Sequence, residues 1–181
     1  MKRETGQSGR SADTGGDGGT LSRRGLPVHD ARLLVNLVYA PGAGRILLDP
    51  FAGVGGVVLE AVTSGYDVIS LDVDPLLRHG CTAFGARHHV GDASHLPLRT
   101  GTIDAIAAEP PYHREAERVV AQALAEMCRV LKRGGRLALM CASWQREMLR
   151  HAGASLGLEP FLDAPVNRKG TDCTVLAWQK A

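Results

Sequence analysis

The segment Asp49-Pro-Phe-Ala-Gly53-Val-Gly55-Gly56 constrains this chain more than any other. It lies between a short apolar run at 45–49 and a helical pattern at 55–64. A glycine-rich loop carries meaning only in such a strand–loop–helix setting. There its glycines let the backbone turn tightly and approach a ligand closely. The pattern is Gly-x-Gly-Gly after Asp-Pro, not Gly-x-Gly-x-x-Gly, and no Gly-Lys-Ser/Thr follows to make it a phosphate-binding Walker loop.

The same alternation continues along the chain. Apolar periodicity predicts helices at 28–39, 55–64, 75–81, 115–131 and 145–154, the fourth being stopped by Gly134-Gly135. Short apolar runs between turn signals predict strands at 45–49, 68–72, 103–108 and 136–141, with a weaker one at 86–90. Two final strands, 158–164 and 174–178, flank a polar turn at 167–170. Strands alternating with helices imply parallel βαβ units. The expected fold class is therefore α/β, a doubly wound, mixed seven-stranded sheet closed by a C-terminal antiparallel hairpin.

Residues 1–24 are rich in Gly, Ser, Thr and charge and hold one aliphatic side chain beyond Met1, Leu21. Such a segment cannot bury enough apolar surface to offset ordering, so it is expected to be a disordered tail ahead of one domain at 25–181. The chain has no apolar run of the roughly 18 residues that a membrane helix needs and no signal-peptide core, so the expectation is a soluble, cytoplasmic protein. Cys81, Cys128, Cys141 and Cys173 are scattered, which suits reduced thiols and neither a disulfide framework nor a metal site. Charge is unevenly spread: residues 25–109 carry five basic and nine acidic side chains, residues 110–181 eleven and seven. A cationic cofactor beside the first part and an anionic substrate beside the second would suit that division.

Three acids follow three successive predicted strands: Asp49, then Asp72, then Asp92 after Gly91. Each alone is explained by helix capping. Together, beside one glycine loop, they describe a nucleoside pocket at the carboxyl edge of the sheet, with Asp72 placed for ribose hydroxyls and Asp92 for an adenine amine. Asp74 precedes Pro75 and is assigned to capping.

These residues resemble a known family. Asp49 to Gly56 is similar to the first motif of class I S-adenosylmethionine-dependent methyltransferases, which have a Rossmann-like fold. The Asp-Pro-Phe-x-Gly-x-Gly-Gly form resembles the tRNA guanosine-N2 methyltransferases that usually carry a THUMP domain, and also amino-methylating DNA methylases. The preceding Ala31-Arg32-Leu-Leu-Val-Asn36-Leu37 is similar to the segment before the loop in the tRNA family. The resemblance covers about residues 26–178. It implies S-adenosyl-L-methionine as cofactor, bound by Asp49, Phe51, Gly53, Gly55, Asp72, Val73, Asp92 and Ala93, with Asp49 and the glycines at its methionine part and no metal.

The fourth predicted strand ends in Glu109-Pro110-Pro111-Tyr112. Two prolines fix the backbone and leave their carbonyls free to accept. An acid before them and an aromatic ring after them make a slot for a flat base with an amino group. The ring stacks on the base. The carboxylate and a proline carbonyl accept the two amine hydrogens and aim the lone pair at the methyl donor, so the reaction depends mostly on positioning. The tetrapeptide resembles the Asp/Asn-Pro-Pro-Tyr/Phe motif of amino-methyltransferases, with Glu109 one methylene longer than that pattern. Among weaker candidates, His113 and Arg114 could touch phosphate, Asn167-Arg168-Lys169 forms either a phosphate contact or a charged turn tip, and His88-His89 reads as surface.

The expected function is methylation of an exocyclic base amine, in RNA and of the tRNA guanosine-N2 type. Alternatives are DNA adenine-N6 or cytosine-N4 methylation, a small-molecule amine, or a non-catalytic cofactor-binding subunit. No length is left for a target-recognition module, and residues 25–181 are charge-neutral, sixteen basic against sixteen acidic. Recognition of the nucleic-acid partner is therefore expected to come from the tail or from a protein partner.

Overall fold

The computed structural model describes residues 25–181 except 40, 43 and 169. The expected tail at 1–24 lies outside the described residues. Helix α1 (Val28–Leu37) is followed by β1 (Ile46–Asp49), α2 (Gly56–Thr63), β2 (Asp67–Asp72), α3 (Arg78–Ala83), β3 (Arg87–Val90) and β4 (Ile103–Ala108). Then come α4 (Glu117–Val130), β5 (Leu131–Ala142), α5 (Arg146–Ser155), β6 (Leu158–Arg168) and β7 (Thr171–Lys180). The seven strands form one sheet in the order β3-β2-β1-β4-β5-β7-β6. Strands β1 to β5 pair in parallel, while β7 is antiparallel to both β5 and β6.

Alternation along the strands divides the core between two faces. Leu47, Val68, Ala105, Ala107 and Met140 pack with Leu34 of α1, Val58 of α2 and Cys81 of α3. Leu48, Leu71, Ile106, Leu137 and Leu139 pack with Leu124 and Met127 of α4 and Leu149 of α5. Helices therefore cover both faces, as a doubly wound sheet requires. Helix α4 buries Val120, Ala123, Leu124 and Met127, the spacing of one helical stripe. All four cysteines are free and buried. Among the described residues, no helix is long and apolar enough to cross a membrane.

Several boundaries differ from expectation for physical reasons. The segment at 75–81 is a 3-10 turn, Pro75–Leu77, leading into α3, with Asp74 capping it by accepting from the Leu76 N–H. Helix α4 ends at Val130, before the two glycines. Leu131 turns extended at φ −69°, ψ 136°, to bury its side chain and pair with Ile103, so β5 begins five residues before the expected strand. Gly135 lies in the resulting irregularity, where a Cβ would meet the Asp104 carbonyl at 3.0 Å. The terminal hairpin also pairs further than expected, from Leu158↔Lys180 to Arg168↔Thr171. Its two-residue turn has Gly170 at φ +85°.

Candidate active site

From β1 the chain builds outward to β2 and β3 on one side and resumes on the other with β4 and β5. The crevice at the carboxyl ends of β1 and β4 is therefore the switch point of the sheet, where open α/β folds bind ligands. Asp49 ends β1, and Glu109 directly follows β4. A cavity of about 620 Å³ opens there, within the roughly 300–1,000 Å³ of small-molecule and cofactor sites.

One wall is the glycine loop. Gly53 and Gly55 take left-handed backbone at φ +51° and +92°. A Cβ on Gly55 would come within 2.9 Å of the Phe84 ring, so this close approach requires glycine. The loop is tied to the end of β2: the Ala52 N–H donates to the Leu71 carbonyl at 2.8 Å, and the Gly53 N–H donates to Asp72 Oδ2 at 2.8 Å. Asp72 Oδ1 accepts from the Asp74 N–H. Asp72 thus shapes the loop and also lines the cavity.

Phe51, Val73, Asp92 and Ala93 also line the cavity on this side. Val73 is 67% exposed and forms an apolar shelf at the rim. Asp92 Oδ1 accepts from the Ser94 N–H at 2.8 Å, and that bond holds its carboxyl below the usual carboxylate range. The cavity is lined by five carboxyl side chains, Asp49, Asp72, Asp92, Glu109 and Glu115, and by no Lys or Arg among the described residues. A glycine cradle, an apolar shelf and acids at successive strand ends fit S-adenosylmethionine, whose sulfonium and ammonium groups are cationic and whose ribose offers hydroxyl donors.

Asp49 is 1% exposed, and its Oδ1 accepts from the Phe51 N–H at 3.2 Å. Burial pushes its carboxyl up to about 8 against the lowering pull of that bond, with Asp72 and Glu109 adding repulsion. Burial thus favours its protonated form, and a neighbouring cation would favour the ionised one.

Glu109 and Pro111 of the motif after β4 line the opposite wall, with buried Pro110 and part-buried Tyr112 behind them. Its shape is set by two side chains that sequence reasoning did not single out, both just after β5. The Gln145 amide donates to the Pro111 carbonyl at 2.9 Å, and the Trp144 indole N–H donates to the Tyr112 carbonyl at 3.1 Å. Gln145 thereby takes one of the two acceptor positions of the Pro111 carbonyl. Tyr112 packs its ring against the α1-side core and donates its hydroxyl to Glu109 Oε1 at 2.6 Å. The same Oε1 accepts from Arg168 Nη1. Arg168 also donates to the Tyr112 hydroxyl at 3.1 Å and lies 3.3 Å from buried Asp30 of α1.

Arg168 is thus folded inward rather than presented at a turn tip, while Lys169 lies outside the described residues. A two-residue alternation in β6, Leu162-x-Ala164-x-Val166-x-Arg168, was the available signal. His113 faces Glu115 at 3.3 Å, and Arg114 stacks over the Trp144 ring at 4.6 Å. His88 is half-buried, with Nδ1 2.9 Å from Ser70 Oγ. Among the described residues no His, Cys, Asp and Glu side chains group to hold a metal.

Comparison with known proteins agrees with this geometry. Residues 48–139 match the family model described as a methyltransferase domain. The chain is 33% identical over 129 residues to a tRNA (guanine(10)-N2)-dimethyltransferase of Pyrococcus abyssi, covering 63% of this chain and 38% of that protein. The crystal structure of TrmN from Thermus thermophilus superposes with a TM-score of 0.73 at 28% identity, over 86% of this chain and 49% of that one. A geranyl diphosphate methyltransferase solved with S-adenosylmethionine shares the fold at a TM-score of 0.68 and 16% identity, over 85% of each chain. This chain therefore spans half or less of the length of the tRNA methyltransferase and of TrmN.

Proposed function

This chain belongs to the class I S-adenosylmethionine-dependent methyltransferase family, and on that premise we propose that it methylates an exocyclic amine of an RNA base, with guanosine N2 of tRNA the first candidate. The observation that carries this reading is Glu109-Pro110-Pro111-Tyr112 at the end of β4, across the switch-point crevice from the glycine loop. The likeness to a protein named as a tRNA guanine-N2 dimethyltransferase supports the choice of base.

When bound, S-adenosylmethionine supplies an electrophilic methyl group on a positively charged sulfur. Asp72 would accept from the ribose hydroxyls and Asp92 from the adenine amine, while Asp49 would pair with the ammonium of the methionine part. Glu109 accepts one hydrogen of the target amine, and a proline carbonyl of the motif is the second acceptor. Together they turn the nitrogen lone pair toward the methyl carbon. With the methyl group supplied in this way and S-adenosylhomocysteine as the leaving product, the methylated amine would shed its surplus proton toward Glu109 or solvent. Tyr112 offers its ring face to the base. Catalysis on this scheme is orientation and electrostatics, with no covalent enzyme adduct.

A second reading is a small-molecule amine acceptor. It is favoured by the cavity lining, which has five carboxyl groups and no Lys or Arg among the described residues and gives a phosphate backbone no partner. Transfer of labelled methyl groups to total RNA, DNA and a metabolite pool separates the readings. Label in RNA, recovered after nuclease digestion as N2-methylguanosine, supports the first. Label confined to the metabolite pool overturns it in favour of the second.

A further inference from the structure

We propose that Arg168 is a positioning residue for methyl transfer, bridging buried Asp30 to Glu109 and holding the Glu109 carboxylate in its accepting orientation. This inference rests on the reading of Glu109 as the acceptor of an amine hydrogen.

The bridge joins three distant parts of the chain. Arg168 ends β6, Asp30 is in the first turn of α1, and Glu109 follows β4. The Arg168 side chain is 19% exposed and that of Asp30 8%. Arg168 Nη1 donates to Glu109 Oε1, while Nε lies 3.3 Å from Asp30 Oδ2. That buried Asp30 oxygen has no hydrogen-bond partner, so the guanidinium meets it as an ion pair. Glu109 Oε1 therefore takes two donors, Arg168 and the Tyr112 hydroxyl, and Oε2 takes neither.

A glutamate has one more rotatable bond than the aspartate or asparagine usual at this place. Left alone, its carboxylate would sample several positions, and lone-pair alignment does not tolerate that. Two donors on one oxygen remove this freedom, draw the longer side chain toward β6, and leave the other oxygen for substrate. The guanidinium also brings positive charge to a crevice crowded with acids, where Glu109 stands near Asp49. The requirement is specific to arginine. Its planar fork meets Asp30 through Nε and Glu109 through Nη1 at once, whereas a lysine ammonium reaches only one of them.

The test compares wild type with R168M, R168K, E109A, E109A/R168M and D30N/R168M. The last variant guards against misfolding, because it removes Asp30's charge together with its partner. The first readout is the side-chain carboxyl carbon resonance of Glu109, assigned by its loss in E109Q, in protein saturated with S-adenosylhomocysteine. R168M and D30N/R168M should displace it, R168K less so, with S-adenosylhomocysteine affinity within about two-fold of wild type, because Arg168 does not line the cofactor cavity. A Glu109 resonance unmoved in both methionine variants overturns the proposal. The second readout is single-turnover methyl transfer to bulk tRNA. R168M should be slower by about 10–100-fold, the usual effect of losing a group that orients a site residue, with R168K intermediate. In the E109A background the same change should alter the rate by less than about two-fold, because the two residues act as one unit. Equal losses in both backgrounds would make Arg168 a hairpin staple and overturn its positioning role. If wild type leaves tRNA unmethylated, the RNA reading fails, and the Glu109 resonance still decides the Arg168 bridge.

Discussion

The Gln145 side-chain amide donates to the Pro111 carbonyl at 2.9 Å, across 34 positions of sequence. Its own oxygen accepts from the Ala142 N–H at 2.9 Å, and the residue is fully buried. Gln145 therefore ties the motif after β4 to the end of β5. Gln145→Leu keeps the bulk but removes the partner of a half-buried carbonyl and of a buried N–H. It should lower stability by about 1–3 kcal/mol, the penalty for an orphaned polar group. Urea unfolding measures this, and a midpoint equal to wild type would show that water takes over both bonds.

Asp49 makes stability depend on pH in a direction unusual for a carboxylate. Its folded value, pushed up to about 8, stands above the roughly 3.9 of an unfolded aspartate. The folded chain holds the extra proton between those values. The stability it contributes is fully present below about pH 4 and is lost as pH rises toward 8, by at most about 1.4 kcal/mol per pH unit. Asp49→Asn carries no such proton. The gap in unfolding free energy between variant and wild type should therefore widen from pH 5 to pH 8 in the variant's favour. Parallel curves would mean that Asp49 is ionised in the fold.

Gly55→Ala should damage the cofactor loop from two directions. The left-handed backbone at φ +92° is strained for alanine by about 1–3 kcal/mol, and the new Cβ would press on the Phe84 ring at 2.9 Å. A lower melting temperature and weaker S-adenosylhomocysteine binding by calorimetry are expected together. Wild-type affinity in this variant would separate the loop from the cofactor.

Glu109 and Tyr112 should separate kinetically. Glu109→Ala should slow single-turnover transfer by on the order of 10²–10³, as for the loss of other preorganised polar groups, with cofactor affinity retained. Glu109→Gln keeps an acceptor oxygen and should retain more activity. Tyr112→Phe keeps the ring and loses its hydrogen bond to Glu109, so it should lower kcat with little change in KM. Tyr112→Ala should also raise KM, because stacking holds the base before reaction. Alanine at 109 turning over at the wild-type rate would remove Glu109 from the chemistry.

The layered fold was legible in the sequence because it depends on local periodicity. Short apolar runs such as Ile46–Asp49 and Ile103–Ala108 alternate with helical stripes, and the hydrophobic effect leaves such a pattern few ways to bury itself. Edge strand β3 was weakly signalled because its residues, Arg87–Val90, are largely exposed and need no apolar pattern. The place of the glycine loop and of the acids at strand ends beside the cavity was legible because each follows from the strand end it occupies. Helix α4 and strand β5 were misdivided because Leu131 is placed by burial against β4, a pairing no local propensity encodes.

What only the tertiary structure decided is the state of each acid and the partners of each motif residue. Asp49 and Asp72 are both acids at strand ends, yet burial favours the protonated form of the first while the second is held by two backbone donors. Arg168 reaches Glu109 across 59 positions, and Gln145 reaches Pro111 across 34. Neither contact leaves a periodic trace, because a hydrogen bond depends on where two side chains meet in space and not on their spacing along the chain. Sequence alone thus determined where the crevice of the sheet would open, and packing determined how the side chains around it are partnered.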